Sequence, residues 1–106
     1  MRNYFVCFIL FTLGTSSTLQ WQEDGVAICD EPDEQYYPVP ISDDAGGAII
    51  AWQDKRSTDN FDIYAQRVDG DGVCLWDSNG IVICNNPSGQ YHPVLIPDNS
   101  GGAIIA

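Results

Sequence analysis

Positive charge is nearly missing from this sequence. Four Lys and Arg residues stand against 15 Asp and Glu, a formal net charge of −11 over 106 residues. A nucleic-acid backbone or an anionic membrane surface would be repelled by such a chain, so cations or plain solubility fit the imbalance better. Long apolar runs are missing too, since the longest, residues 4–13, is too short to cross a bilayer core of ~30 Å. Histidine occurs once. No Cys-x-x-Cys or Cys/His spacing suggests zinc, and neither a nucleophile elbow nor a phosphate loop is present. Segments with helical periodicity are also lacking, and the strand signals are dense.

The first residues read as an export signal. Met1-Arg2-Asn3 is a short, singly basic start, YFVCFILFTL is an apolar run, and Gly14-Thr15-Ser16-Ser17 is a small-residue segment suited to cleavage before Thr18. The competing reading is a buried first strand or helix. Cys7 lies too early in the apolar run to be a lipidation cysteine. Removal of residues 1–17 leaves all 15 acidic residues but only Lys55, Arg56 and Arg67 as cations, and no segment that would hold the product in a membrane. Three cysteines then remain, Cys29, Cys74 and Cys84, and an odd number cannot all pair within one chain. Cys29 and Cys84 are expected to be small buried apolar residues. Cys74 and Cys84 are close enough in sequence for a disulfide across a hairpin.

What the sequence does have is a repeat. Gly46-Gly47-Ala48-Ile49-Ile50-Ala51 returns letter for letter as Gly101-Gly102-Ala103-Ile104-Ile105-Ala106, 55 positions on. Trp21 matches Trp76, Cys29 matches Cys84, Gln35-Tyr36 matches Gln90-Tyr91, and Asp43 matches Asp98. Over the 31 positions from Trp21 to Ala51, 17 are identical to their partners, with no insertion or deletion. A period of this size means stacked supersecondary units.

Within one period, QYYPVPIS (35–42) alternates two faces, with Tyr37, Val39 and Ile41 on one side. Its internal prolines cannot donate to a ladder, which makes it an edge strand. AIIAWQ (48–53) is apolar on both faces, as a fully buried strand should be. DIYAQRV (62–68) is a third strand, rich in residues that favour a pleated surface. Residues 73–76 and 80–84 are two short apolar runs around Asp77-Ser78-Asn79-Gly80, whose Asn-Gly is a hairpin signal. They form either one bent outer strand or an outer strand plus a connector. Four or five strands per period are too few for a sandwich and too many for one solenoid coil. They suit a propeller blade whose faces are buried by its neighbours, the Pro-bearing strand lying innermost.

The segment WQDKRSTDNFDIYAQRVDGDGVCLW, preceded by SDDAGGAIIA and followed by NGIVIC, resembles the repeat of large secreted bacterial β-propeller-like proteins. That resemblance covers everything after the export signal and implies a fold and an extracellular, often sorting-tailed setting rather than a chemistry. Asp44 stands where that repeat usually has glycine, and Cys74 occupies an otherwise aliphatic slot.

The expected fold is therefore all-β, made of antiparallel propeller-like blades. Residues 1–17 form the signal and 18–106 the repeat region, divided into an outer-strand segment (18–34), a complete repeat (35–89) and a truncated one (90–106). The second copy stops where the first continues into Trp52-Gln53-Asp54, so the chain reads as the start of a longer protein. The expected partners are further blades of that protein, together with a carbohydrate or protein ligand.

Candidate chemistry is sparse. Asp69-Gly70-Asp71-Gly72 resembles the Asp-box turn of sialidase-type propellers, with the following tryptophan one position late. Asp69 and Asp71 are also candidate Ca²⁺ ligands, although no glutamate closes a full calcium loop. A structural turn is the favoured reading. Asp54, Arg56, Asp59 and Asp62 cluster around one loop and could present paired carboxylates for glycoside chemistry. The favoured alternative has Arg56 bridging to Asp62 to close each blade, because a repeated motif is a poor place for a unique active site. His92 is the only imidazole base, but its repeat partner is Tyr37, so it is expected to pack on the face of Val39 and Ile41. Two functions follow: a non-catalytic extracellular scaffold or binding surface with no cofactor, or part of a propeller glycosidase or lyase whose catalytic residues lie in other blades.

Overall fold

The computed structural model describes residues 5–7, 25–57 and 60–106. It is all-β with antiparallel sheets, and no helix occurs among the described residues. Among the described residues eight strands run in order: β1 (Phe5–Cys7), β2 (Val26–Cys29), β3 (Gln35–Ser42), β4 (Ala48–Asp54), β5 (Asp62–Val68), β6 (Ile81–Cys84), β7 (Leu95–Pro97) and β8 (Ala103–Ile105). β3-β4-β5-β6 form a four-stranded meander, β7-β8 a second sheet, and β1-β2 a third. Of the segment expected to be an export signal, only Phe5–Cys7 lies within the described residues, where it pairs antiparallel with β2. Thr15, Ser17, Thr18 and Trp21 lie outside them.

β4 is the buried centre, and every one of its seven residues is buried. Side chains alternate across a strand, so β4 serves two cores at once. Ala48, Ile50 and Trp52 face one way and pack with Ile28 and Cys29 of β2, with Val68, and with the half-buried Tyr64 and Cys74. Ile49 and Ala51 face the other way and pack with Ile63 and Ala65 of β5 and with Leu95, Ala103 and Ile105 of the second repeat. Each fully buried Ile here contributes about 1.5–3 kcal/mol of transfer free energy. One sheet is thus covered on its two faces by segments related to it by the repeat.

The repeat is exact in register. β3 pairs with β4 through Pro40↔Ile50, Ile41↔Ile49 and Ser42↔Ala48. β7 pairs with β8 through the equivalent Leu95↔Ile105, Ile96↔Ile104 and Pro97↔Ala103. The turns agree as well. Asp43 Oδ1 accepts the N–H groups of Ala45 (2.9 Å) and Gly47 (2.8 Å), and Asp98 Oδ1 accepts those of Ser100 (2.7 Å) and Gly102 (2.9 Å). Burial alone would raise the Asp43 carboxyl, but these bonds and Arg67 outweigh it and hold the group below its ordinary value. The Asp98 carboxyl is lowered by its two backbone donors.

Two expectations are corrected here. Tyr37 and His92 do not pack beside Val39 and Ile41. The register of β3 against β4 steps from Tyr36↔Gln53 to Val39↔Ala51, three residues against two, which is a β-bulge. Tyr37 and His92 both sit at φ 54°. This left-handed bulge turns both rings outward, where they meet each other with centroids 4.8 Å apart. The second correction concerns Asn79-Gly80, which makes no hairpin. Cys74 bridges Val68, and β6 pairs with residues 63–65 further along the same edge of β5. The outer edge is one line, interrupted by a loop that the Gly80 N–H closes onto the Asp77 carbonyl at 2.9 Å. Gln66, fully buried on β5, fastens this loop by donating to Asp77 O (2.8 Å) and accepting from Trp76 N (2.9 Å).

Candidate functional site

Asp54, Arg56 and Asp62, the described residues among those singled out at the β4–β5 loop, are brought together, but in a different pairing from the one expected. Asp54 ends β4 and is fully buried. Its Oδ1 accepts the Arg56 backbone N–H and Nε, both at 2.9 Å. Its Oδ2 accepts Trp52 Nε1 at 2.8 Å and Arg56 Nη2 at 2.6 Å. Both carboxylate oxygens are thereby committed to fixed donors. Arg56 bridges to Asp54 rather than to Asp62, because i and i+2 on the strand end put the fork directly against the carboxylate in a two-point contact.

The guanidinium reaches further. Arg56 Nη2 donates to Asn79 O at 2.7 Å and to Cys29 Sγ at 3.2 Å, and its Cζ lies 3.8 Å from the centroid of the Tyr64 ring. Glu31 Oε1 stands 4.0 Å from Nη1. Burial works against the charged guanidinium, but the hydrogen bonds and charge of Asp54 prevail and raise its pKa. Burial likewise pushes the Cys29 thiol up. This cluster joins β2, the β4–β5 loop and the outer loop. Its chemistry is that of a clamp.

Asp62 faces Asp54 across the ladder and accepts a hydrogen bond from the Ser57 hydroxyl. Asp59 lies outside the described residues. Ser57, Asn60, Asp62 and Tyr64 line one side of an open cleft of about 360 Å³, and Asn85, Asn86 and Pro87 line the other. Asn60 Nδ2 donates across it to Pro87 O at 2.5 Å. The walls are amides, one carboxylate and a phenol ring, a set that can exchange hydrogen bonds with a hydroxyl-rich ligand.

Asp69 is placed as the third of the Asp-led turns. Its Oδ1 accepts from Asp71 N and Val73 N, both at 2.9 Å, and Asp71 is exposed. Among the described residues no group of three or more His, Cys, Asp or Glu side chains is arranged to hold a metal ion. His92 is exposed, and its backbone N–H donates to Gln53 Oε1 of the first repeat at 2.7 Å. Cys29, Cys74 and Cys84 are free thiols. Cys74 faces Ala27 O rather than Cys84, and Cys84 is exposed, against the expectation of burial.

Sequence reasoning passed over Gln53 and Gln66 and gave Cys29 and Asn79 no part in the fastening that all four do. The available signal was a polar residue inside an otherwise buried strand, as at Gln53 and Gln66. Arg67 belongs with them, since its Nε donates to Asp43 Oδ2 at 3.0 Å and ties the β3–β4 turn to β5. Comparison with family models, with curated proteins and with solved structures returns no match to this chain. No helix among the described residues is long and apolar enough to cross a membrane.

Proposed function

We propose that the chain is a non-catalytic, extracellular β-propeller-like repeat segment that serves as a scaffold and binding surface. The observation that carries this reading is the state of Asp54. The most buried carboxylate of the candidate acid pair has both oxygens occupied by Trp52 and Arg56, so it can neither attack nor exchange a proton with a substrate. Asp62, the other member, is hydrogen-bonded and lines an open cleft, which suits holding a ligand. Support for the blade-like arrangement comes from the four-stranded meander whose two faces are each covered by a repeat-related segment. Extracellular placement rests on the Arg2, apolar run and Thr15-Ser16-Ser17 order.

The test is to incubate the chain with a panel of neutral and acidic polysaccharides. New reducing ends and new unsaturated sugar ends should stay at the level of a protein-free control, while retention on immobilised glycan is compatible with the proposal. Turnover that disappears in Asp62→Asn would sink it.

A further inference from the structure

Aromatic rings of the two repeats gather beside the junction where Gln90 N donates to Phe61 O at 2.8 Å. Tyr37 and His92 meet with centroids 4.8 Å apart, Tyr37 and Tyr36 at 6.3 Å, Tyr36 and Phe61 at 5.9 Å, and Phe61 and Tyr91 at 5.8 Å. Tyr36, Tyr37 and Tyr91 are 43%, 58% and 56% exposed, and His92 is exposed as well. The backbone is strained to keep them there. Tyr37 and His92 both hold φ 54°, a region that bulky side chains avoid, and the buried Gln53 pins the second bulge by accepting the His92 N–H at 2.7 Å. Such strain persists only where the surroundings impose it, and it clusters at sites that hold ligands. The Tyr91 ring is fixed too, lying so close to Gly89 that a methyl there would stand 2.7 Å from its Cζ.

Phe61 connects this cluster to the cleft. Its neighbours Asn60 and Asp62 line the near wall, and Asn85 and Asn86 line the far one. The charges then narrow the ligand. Among the described residues Asp62 is the one charged side chain that lines the cleft, and the net charge of −11 repels an acidic polymer. A small cation is drawn by that charge, but Lys55 Nζ already lies 5.7 Å from the Phe61 centroid, so the ring next to the cleft has its cation. An uncharged ligand with C–H faces for the rings and hydroxyls for the amides meets both halves of the surface.

We propose that Tyr36, Tyr37, Phe61, Tyr91 and His92, together with the adjoining cleft, bind an uncharged polysaccharide. Sugar rings pack their C–H faces on the exposed aromatic rings, and their hydroxyls exchange hydrogen bonds with the Asn60, Asn85 and Asn86 amides. This rests on the binding-surface reading above and names the ligand class and the residues that take it.

The test runs the full chain by affinity electrophoresis through gels holding hydroxyethylcellulose, galactomannan or soluble starch, with polygalacturonate as the acidic comparison. At least one neutral polymer should retard the parent, and polygalacturonate should not. Tyr37→Asn removes a ring while suiting the left-handed backbone, and Tyr91→Ser removes the ring at the other end of the cluster. Each should weaken retardation by roughly tenfold or more, whereas Tyr37→Phe keeps the ring and should stay near the parent. Urea midpoints are read alongside, and where Tyr91→Ser loses stability the exposed Tyr37 carries the comparison alone. No retardation by any of the neutral polymers overturns the proposal. So does equal retardation of the parent and Tyr37→Asn, or stronger retardation by polygalacturonate. Displacement by tetramethylammonium chloride, with sodium chloride inert, would make the cluster a cation site and also overturn it. Turnover of a polysaccharide would sink the non-catalytic reading while leaving the ring dependence of retardation intact, so the two can fail separately.

Discussion

Trp52 Nε1 donates to Asp54 Oδ2 at 2.8 Å, between two side chains on the same face of one strand, neither of them reached by solvent. An indole N–H buried at the centre of a core needs an acceptor, and the residue two places on supplies it. The same carboxylate then needs a counter-charge, which Arg56 provides from the next alternate position. The order Trp-x-Asp-x-Arg is a chain of consequences in which each buried polar group calls for the next.

Removing the middle of that chain should be costly. Asp54→Ala removes the carboxylate that Arg56 holds at 2.6 Å and that accepts from Trp52 Nε1, and breaking a buried pair in this way costs about 3–5 kcal/mol. Asp54→Asn keeps one acceptor for the indole and should cost less. Urea titration of the two variants checks the order, and equal midpoints for Asp54→Ala and the parent chain would remove the clamp from the account.

The acid limb of stability should depend on Asp43. Its folded-state carboxyl is held below the ordinary value of 3.8, so it stabilises the fold above that pH, and the contribution is lost as pH falls through the lower folded value. Asp43→Asn cannot pair with Arg67 and has no such titration. The parent should therefore be more stable than Asp43→Asn near neutrality, and the gap should close as the solution is acidified. Asp98 is lowered in the same sense by the Ser100 and Gly102 N–H groups. A gap that widens toward acid would contradict the assignment.

Much of this architecture can be read from the letters. β3 and β5 occupy the residues that alternation in the first and β-favouring composition in the second predict, and β4 is one residue longer than its apolar run because Asp54, a charged residue, is buried at its end. Alternation fails at Tyr37 and His92 because a bulge adds one residue and shifts the parity of everything before it, and neither residue type advertises a left-handed φ. The Arg56 partner was missed for a different reason. Sequence proximity offered both Asp54 and Asp62, and only the register, which sets those two opposite each other, shows that Asp54 is within the fork's reach.

The bulge gives a direct prediction at His92. It is exposed, and its partner Tyr37 holds the same φ of 54° in the first repeat. His92→Tyr should stay within about 0.5 kcal/mol of the parent, as surface substitutions do. His92→Val places a β-branched residue in the left-handed region and should cost about 1–2 kcal/mol. Denaturant midpoints decide between them, and a His92→Tyr loss as large as that of His92→Val would mean that the imidazole itself is held by the fold.

A paired glycine experiment separates backbone strain from close packing. Gly46 and Gly80 have nearly the same backbone, φ 86° and 90°. A methyl on Gly46 would meet nothing within 4 Å, so Gly46→Ala should cost only the left-handed penalty of about 1–2 kcal/mol. A methyl on Gly80 would stand 2.6 Å from Trp52 Cη2 and 2.8 Å from the Ala65 carbonyl oxygen. Trp52 cannot yield, since its Nε1 is fixed to Asp54 and its ring is fully enclosed. Overpacking should therefore add about 1–3 kcal/mol to the backbone term at Gly80. Its effect should also reach the clamp, because the Asn79 carbonyl that accepts from Arg56 is bonded to Gly80. Urea unfolding should rank Gly80→Ala well below Gly46→Ala, with Cys29 in Gly80→Ala alkylated faster than in the parent. Equal stability of the two variants would mean that the outer loop does not rest on the indole.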